Sequence, residues 1–190
     1  MTVVAGRQYA TTLNEIRRDH LERYQFAARL CRGKVVDLGC GIGYGSFILA
    51  SASADAVLAC DKDREAKEFG RQHWHHDKIV WWLSDFEQVV PTGPFDWAIA
   101  FEVVEHLADP KPLLTHLQAG RLLCSVPNQD VLPFDRKRHD YHHRHYTRTE
   151  FEELLAACGW RVTGWYGQEG KASPVLPNVE GMTLIAMCER

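Results

Sequence analysis

No apolar run approaches the roughly 18 residues that a helix needs to cross a bilayer, and the N-terminus lacks the charged-then-apolar pattern of a secretory signal. The six cysteines contain no C-x-x-C pair. Cys31, Cys40, Cys60, Cys124, Cys158 and Cys188 are scattered, several in or beside apolar segments such as AVLAC and RLLC. They are expected to be buried free thiols, as in a reducing cytoplasm. Net charge is only −3, from 22 Lys plus Arg against 25 Asp plus Glu. That balance gives no general field for a polyanion, so nucleic acid is not the expected partner. No repeat or low-complexity tract is visible. A chain of 190 residues with 45% hydrophobic and 25% charged content suits one well-buried core and falls short of two comfortable domains. The expectation is a single domain over residues 1–190, cytoplasmic, and monomeric or weakly dimeric. Histidine is the one excess: ten in all, with His139, His142, His143 and His145 close together in RHDYHHRHYT.

The pattern of apolar residues sets the order of elements. TTLNEIRRDHLERYQFAARLCRG places Leu13, Ile16, His20, Tyr24, Ala27 and Ala28 near one stripe, with Gly33 as a stop, so residues 1–33 read as a helical cap. KVVDL is a strand running into GCGIGYG, and a helix follows from Ser46 to about Ser53. AVLACD, KIVWWLSD, FDWAIAF and RLLCSVPN read as further strands, with helix-length segments between most of them. EVVEHLADPKPLLTHLQAG reads as helical with a break at Asp109–Pro110, and TRTEFEELLAACGW as a capped helix. WRVTGWYGQ and GMTLIAMCE end the chain as two strands without a helix between them. These features predict a doubly wound α/β fold with a seven-stranded, mostly parallel sheet and a C-terminal antiparallel hairpin at one edge. Residues 129–146 read as a loop on the substrate side.

The chemistry starts at Asp37-Leu-Gly39-Cys-Gly41-Ile-Gly43-Tyr-Gly45, where the first strong strand turns into a helix. Glycines there allow a tight turn and bring backbone N–H groups close to a ligand. The dinucleotide pattern G-x-G-x-x-G fails, since the sixth residue is Tyr44 counted from Gly39 and Ser46 counted from Gly41. No G-K-[ST] follows, which excludes a phosphate loop of the ATPase type. A carboxylate at Asp37 would repel a pyrophosphate yet suits an ammonium group. Asp61 ends the next strand, where a carboxylate can take both hydroxyls of a ribose, and Asp85 after the following strand can meet an adenine edge. Cation, ribose and base in that order describe S-adenosylmethionine rather than a nicotinamide dinucleotide.

VVDLGCGIGYGS resembles the first motif of class I S-adenosylmethionine-dependent methyltransferases. ACD at 59–61, LSDFE at 83–87 and FDWAIAFEVVEHL at 95–107 resemble the next three. The likeness covers residues 34–128 well and is nearest to ubiquinone-type and generic small-molecule members. It implies the Rossmann-like fold of that family and S-adenosylmethionine as cofactor. It also implies Asp37 toward the methionine ammonium, Gly39, Cys40 and Gly41 beneath the cofactor, Asp61 with Lys62 at the ribose, and Asp85 at the adenine with Ser84 and Phe86 beside it. Phe101 would lie near the sulfonium, and Tyr24 and Tyr44 would reach the cofactor from the first two helices.

Methyl transfer to a hydroxyl needs alignment and a proton acceptor. Glu102 and His106 fall four apart in FEVVEHL, which a helix would put on one face with Glu105 one step round. His142, His143 and His145 lie in the cap loop. The expected reaction is transfer to a small-molecule or glycan-linked acceptor, at a hydroxyl oxygen, with Glu102 or one of these histidines as base. Arg136, Lys137, Arg138, Arg144 and Arg148 make the cap locally basic, which suits an anionic acceptor. Two alternatives stand beside this reading. E-x-x-E-H followed by a distant His resembles divalent-metal-dependent RNA ribose 2′-O-methyltransferases, with Glu102, Glu105, His106 and His143 as ligands. A cofactor-binding regulatory protein with weak catalysis is the other.

Overall fold

The computed structural model describes residues 2–4 and 7–190, with side chains from Tyr9 onward. Two short strands, β1 (Thr2–Val4) and β2 (Arg7–Tyr9), form an antiparallel ribbon, and a 3-10 turn follows at Leu13–Glu15. The elements after it are α1 (Arg18–Leu30), β3 (Gly33–Leu38), α2 (Tyr44–Ser51), β4 (Ala54–Asp61), α3 (Arg64–His73) and β5 (Ile79–Leu83). Then come β6 (Phe95–Phe101), a 3-10 turn at Val104–His106, α4 (Lys111–His116), β7 (Ala119–Pro127) and α5 (Arg148–Ala157). The chain closes with β8 (Arg161–Gln168), β9 (Leu176–Pro177) and β10 (Thr183–Glu189).

The main sheet has the order β5-β4-β3-β6-β7-β10-β8-β9. Strands β3 to β7 pair in parallel, and β10 runs antiparallel to both β7 and β8. The sheet therefore has eight strands where seven were expected; the addition is the two-residue β9, too short to carry any periodicity, paired with Tyr166 and Gly167 of β8. The terminal strands do pair with one another, but β10 lies inside the sheet and β8 with β9 forms the edge. A continuous apolar run, Leu184–Ile185–Ala186, is what an interior strand buried on both faces requires.

Two corrections concern the helices. The N-terminal 33 residues are not helical throughout: the described part is a strand ribbon and a 3-10 turn before α1 begins at Arg18. Glu15 accepts from the backbone and hydroxyl of Thr12, a local box that closes the chain into a turn rather than a longer helix. FEVVEHL is not a helix either. Glu102 has φ +54 and ends the strand, and only Val104–His106 make a single 3-10 turn. Glu102 and His106 therefore share no helical face.

Both faces of the sheet are covered, as the alternation of strands and helices requires. Leu113, Leu114, Leu117, Phe151, Leu155 and Trp160 pack on one face, and Tyr24, Phe26, Ala27 and Leu49 of α1 and α2 on the other. All six cysteines are buried free thiols, as expected. Residues 129–146 contain neither helix nor strand; a single bridge from Asn128 to Tyr146 closes the loop.

Candidate active site

In an open sheet of this kind ligands bind where neighbouring strands lead their chains to opposite sides. Here that point lies between β3 and β6, and a cleft of about 190 Å³ opens there. Gly39, Cys40, Gly41 and Ile42 of the loop after β3 line it, with Asp61 at the end of β4 and Phe101 and Glu102 at the end of β6. Tyr44 of α2 and Arg17, His20, Arg23 and Tyr24 at α1 complete the wall.

The loop explains why the glycines are there. Gly39 and Gly41 have φ +67 and +55, a region that costs residues with a Cβ. A Cβ on Gly39 would lie 2.7 Å from Val103, whereas one on Gly41 would meet nothing within 4 Å and would project into free space. Gly41 thus leaves its backbone open to close approach. The loop is fixed to β4 by two bonds, and a third steadies the Asp61 carboxylate. Cys40 N–H donates to the Cys60 carbonyl at 3.0 Å, Gly41 N–H donates to Asp61 Oδ2 at 2.8 Å, and Asp63 N–H donates to Asp61 Oδ1 at 2.9 Å. The Asp61 carboxylate is held at the rim of the cleft by these donors.

Asp37 sits one layer deeper. Its carboxylate is fully buried and accepts from Tyr24 Oη at 3.0 Å and Ser46 Oγ at 2.6 Å. Burial outweighs those two donors and the repulsion of Asp61 adds to it, so Asp37 is pushed up to about 7. It reaches the cleft through Tyr24, which lines the wall, and does not line it directly.

Helix α1 brings residues that sequence reasoning missed. Arg23 is 2% exposed, and its Nη1 donates to Gln168 Oε1 at 2.6 Å. Gln168 in turn donates to the Asp19 carbonyl at 3.0 Å and the Ser173 carbonyl at 2.8 Å, tying α1 to the end of β8. Arg17 grips Asp19 through Nε at 3.2 Å and Nη2 at 2.6 Å, while Arg23 stands 3.8 Å from the same carboxylate. Two guanidinium groups thus share one carboxylate at this end of the cleft. His20 Nδ1 lies 3.0 Å from Tyr44 Oη, and burial with Arg23 and Arg17 nearby pulls it down to about 4. RRDHLER reads in the sequence as an exposed charged helix start. Only the i, i+4 spacing of Asp19 and Arg23 hints at an internal pair.

The remaining expected cofactor residues stand outside the cleft wall. Lys62 is exposed. Ser84 donates its hydroxyl to the Val89 carbonyl, Asp85 accepts from Glu87 N–H and Gln88 Nε2, and Phe86 packs in the core. Asp85 is only half-buried, so it remains within reach of solvent at this end of β5.

The cap meets the 3-10 turn through histidines. His143 N–H donates to the Glu105 carbonyl at 2.7 Å, and His106 Nδ1 bonds the Tyr141 carbonyl at 2.8 Å. A carbonyl only accepts, so His106 carries a proton on Nδ1. The same reasoning applies to two more rings. His145 Nδ1 donates to the Leu132 carbonyl at 2.6 Å, so in the neutral ring its Nε2 accepts from His142 Nδ1 at 2.8 Å, and neutral His142 keeps a lone pair on Nε2. Burial, with His106, His145 and His139 close by, brings His142 down to about 4.

Ligand atoms of Glu105, His106 and His142 lie within 4.8 Å of one another. Glu105 is fully buried, and neither carboxylate oxygen has a hydrogen-bond partner. Burial and the nearby Glu102 raise it well above the usual carboxylate range. This cluster differs from the expected metal set. His142 takes the place of His143, whose ring is exposed and whose backbone makes the contact, and Glu102 belongs to the cleft instead.

Comparison with known proteins agrees with this architecture. A Mycolicibacterium smegmatis protein named as an S-adenosylmethionine-dependent methyltransferase is 28% identical over 163 residues, 79% of this chain. The chain spans 61% of that relative's length. A solved S-adenosylmethionine dependent methyltransferase from Mesorhizobium loti superposes with a TM-score of 0.70 at 17% identity, covering 88% of this chain and 96% of that one. The small RNA methyltransferase HEN1 superposes with a TM-score of 0.69 at 16% identity, covering 90% of this chain and 26% of that one. At such identities the two structural likenesses speak for the fold. The family model described as "Methyltransferase domain" matches residues 9–164, from the first helix through the glycine loop, Asp61 and the cap into β8. By that match the chain belongs to the methyltransferase domain family.

Proposed function

We propose that the protein transfers a methyl group from S-adenosylmethionine to a small or glycan-linked acceptor at a hydroxyl oxygen. The observation that carries this is the cleft itself. It joins an open glycine backbone at Gly41, a rim carboxylate at Asp61 and paired guanidinium groups at Arg17 and Arg23. Those groups match the hydroxyls and carboxylate of that cofactor. When bound, S-adenosylmethionine supplies a methyl group on a positive sulfur that departs as a neutral thioether.

The chain's own residues bind and orient. Asp61 accepts from hydroxyls, Arg17 and Arg23 hold an anionic end, and Tyr24, anchored on Asp37, closes the wall against water. On the cap side His142 presents an unprotonated Nε2, and its low affinity for protons keeps it neutral at pH 7, with the His106 ring beside it. Arg144 and Arg148 are committed to Glu150 and Glu180, so Arg136 and Lys137 are the exposed charges left for an anionic acceptor. Calorimetry tests the reading. Wild-type protein should bind S-adenosylmethionine and S-adenosylhomocysteine at micromolar level, and Asp61→Ala should weaken both by roughly 30-fold or more. A folded protein that binds neither would overturn it.

One observation favours a second reading. The unpartnered, buried Glu105 beside His106 and His142 fits a divalent first-row metal, which suits two imidazoles and a carboxylate. In that reading the acceptor is a ribose 2′-hydroxyl of RNA. Manganese or zinc should then raise Tm in wild-type protein by several degrees and leave His142→Ala unmoved. Equal responses in the two proteins would remove this reading.

A further inference from the structure

Glu102 stands out on three counts. Among the described residues only it and Asn178 combine a side chain with positive φ, and unlike asparagine a glutamate has no particular tolerance for that region. It lines the cleft, and it belongs to none of the ion pairs seen there among the described residues, which centre on Asp19; its charge acts on His20 from farther off. Its carboxylate is also held from an unexpected place. Ser125 is fully buried near the C-terminal end of β7, between Cys124 and Val126, where an apolar residue would serve packing as well. Its Oγ accepts from Glu102 N–H at 3.1 Å and donates to Glu102 Oε1 at 2.9 Å. A single hydroxyl thereby closes a ring on both the backbone and the side chain of its neighbour, using its one proton and a lone pair. Strain retained at a cleft and secured by a dedicated partner points to a position needed for function.

We infer that Ser125 is a positioning residue which holds the Glu102 carboxylate in the cleft as the counter-charge for a positive centre of the bound cofactor. The charge inventory of the cleft leads to the same place. Arg17 and Arg23 suit an anionic end, and Asp61 is committed to Gly41 and Asp63 while facing hydroxyls. Glu102 is the remaining carboxylate of the wall, with Oε1 accepting from Ser125. A cofactor carrying an ammonium and a sulfonium supplies the missing cation.

This rests on the cofactor reading above, and calorimetry separates the two. Binding of S-adenosylmethionine and S-adenosylhomocysteine is measured for wild type, Glu102→Gln, Ser125→Ala and Ser125→Thr, with Tm recorded for each. Glu102→Gln should weaken S-adenosylmethionine by roughly tenfold or more at unchanged Tm. Loss confined to S-adenosylmethionine assigns the sulfonium, and equal loss of both ligands assigns the ammonium; either supports the pairing. Ser125→Ala should reproduce most of the loss, and Ser125→Thr, which keeps the hydroxyl, should restore it. Wild-type failure to bind either ligand would strike the cofactor reading. Wild-type binding with unchanged affinity in Glu102→Gln would overturn this inference alone. Loss in Glu102→Gln without loss in Ser125→Ala would overturn the role of Ser125. If the alanine variant fails to fold, the threonine and glutamine variants still decide.

Discussion

At the scale of single residues, the buried acids carry the most information. Asp37 looked in the sequence like a partner of the cofactor ammonium, direct or indirect, because it precedes the glycine loop by two positions. The fold buries it beneath Tyr24 and Ser46, and the consequence is a pH dependence with a definite sign. Its folded-state value of about 7 lies above the 3.8 of an unperturbed carboxyl, so the folded state holds the proton more tightly than the unfolded one. Between about pH 4 and pH 7 the unfolded chain has fewer protons bound at this site, and stability falls as pH rises through that window. In Asp37→Asn this contribution is absent. The difference in unfolding free energy between variant and wild type should shift in the variant's favour by a few kcal/mol from pH 4 to pH 7.5. Urea unfolding at several pH values measures it, and a pH-independent difference would contradict the assigned burial cost.

At the scale of elements, α1 is the least expected piece. Its apolar stripe announced a helix, but its value lies in the polar residues it delivers, and Gln168 of β8 is what secures them. That side chain is 1% exposed and joins Arg23, the Asp19 carbonyl and the Ser173 carbonyl. Gln168→Ala leaves a buried guanidinium short of an acceptor and two carbonyls short of a donor. It should cost about 2–4 kcal/mol of stability and weaken cofactor binding together with it. Denaturant unfolding with parallel calorimetry checks both. The coupling would be absent if α1 were merely laid on the surface. By contrast, α5 was legible from sequence, since Thr147 caps its first turn and accepts from Glu150 N–H while Glu150 accepts from Thr147 N–H. FEVVEHL misled because a helix-like spacing of acids and histidine crosses the point where β6 ends. The αL backbone of Glu102, secured by Ser125, breaks the period there.

At the scale of the whole molecule, the sequence by itself determined the alternation of strands and helices, the doubly wound sheet, the antiparallel ending and the site at the glycine loop. Each of these follows from local patterns: apolar runs of strand length, caps, and glycines where the chain must turn sharply. The same local rules set Gly39, Gly41, Asp61, Phe101 and Glu102 at or just past strand ends, and strand ends in such a sheet converge on one cleft, which these residues line. What only the tertiary structure decided is which distant groups meet. The burial of Arg23 depends on β8, 145 residues away. The choice of His142 over His143 depends on which ring turns toward Glu105 when a loop without regular structure folds over the 3-10 turn. The partnership of Ser125 with Glu102 spans neighbouring strands 23 residues apart. No periodicity encodes such meetings, since they arise when the sheet's register and the packing of its two faces bring separate segments together. The histidine excess was visible at once, but the tautomers of His142 and His145 are set by the Leu132 carbonyl of the folded cap, through the bond between the two rings.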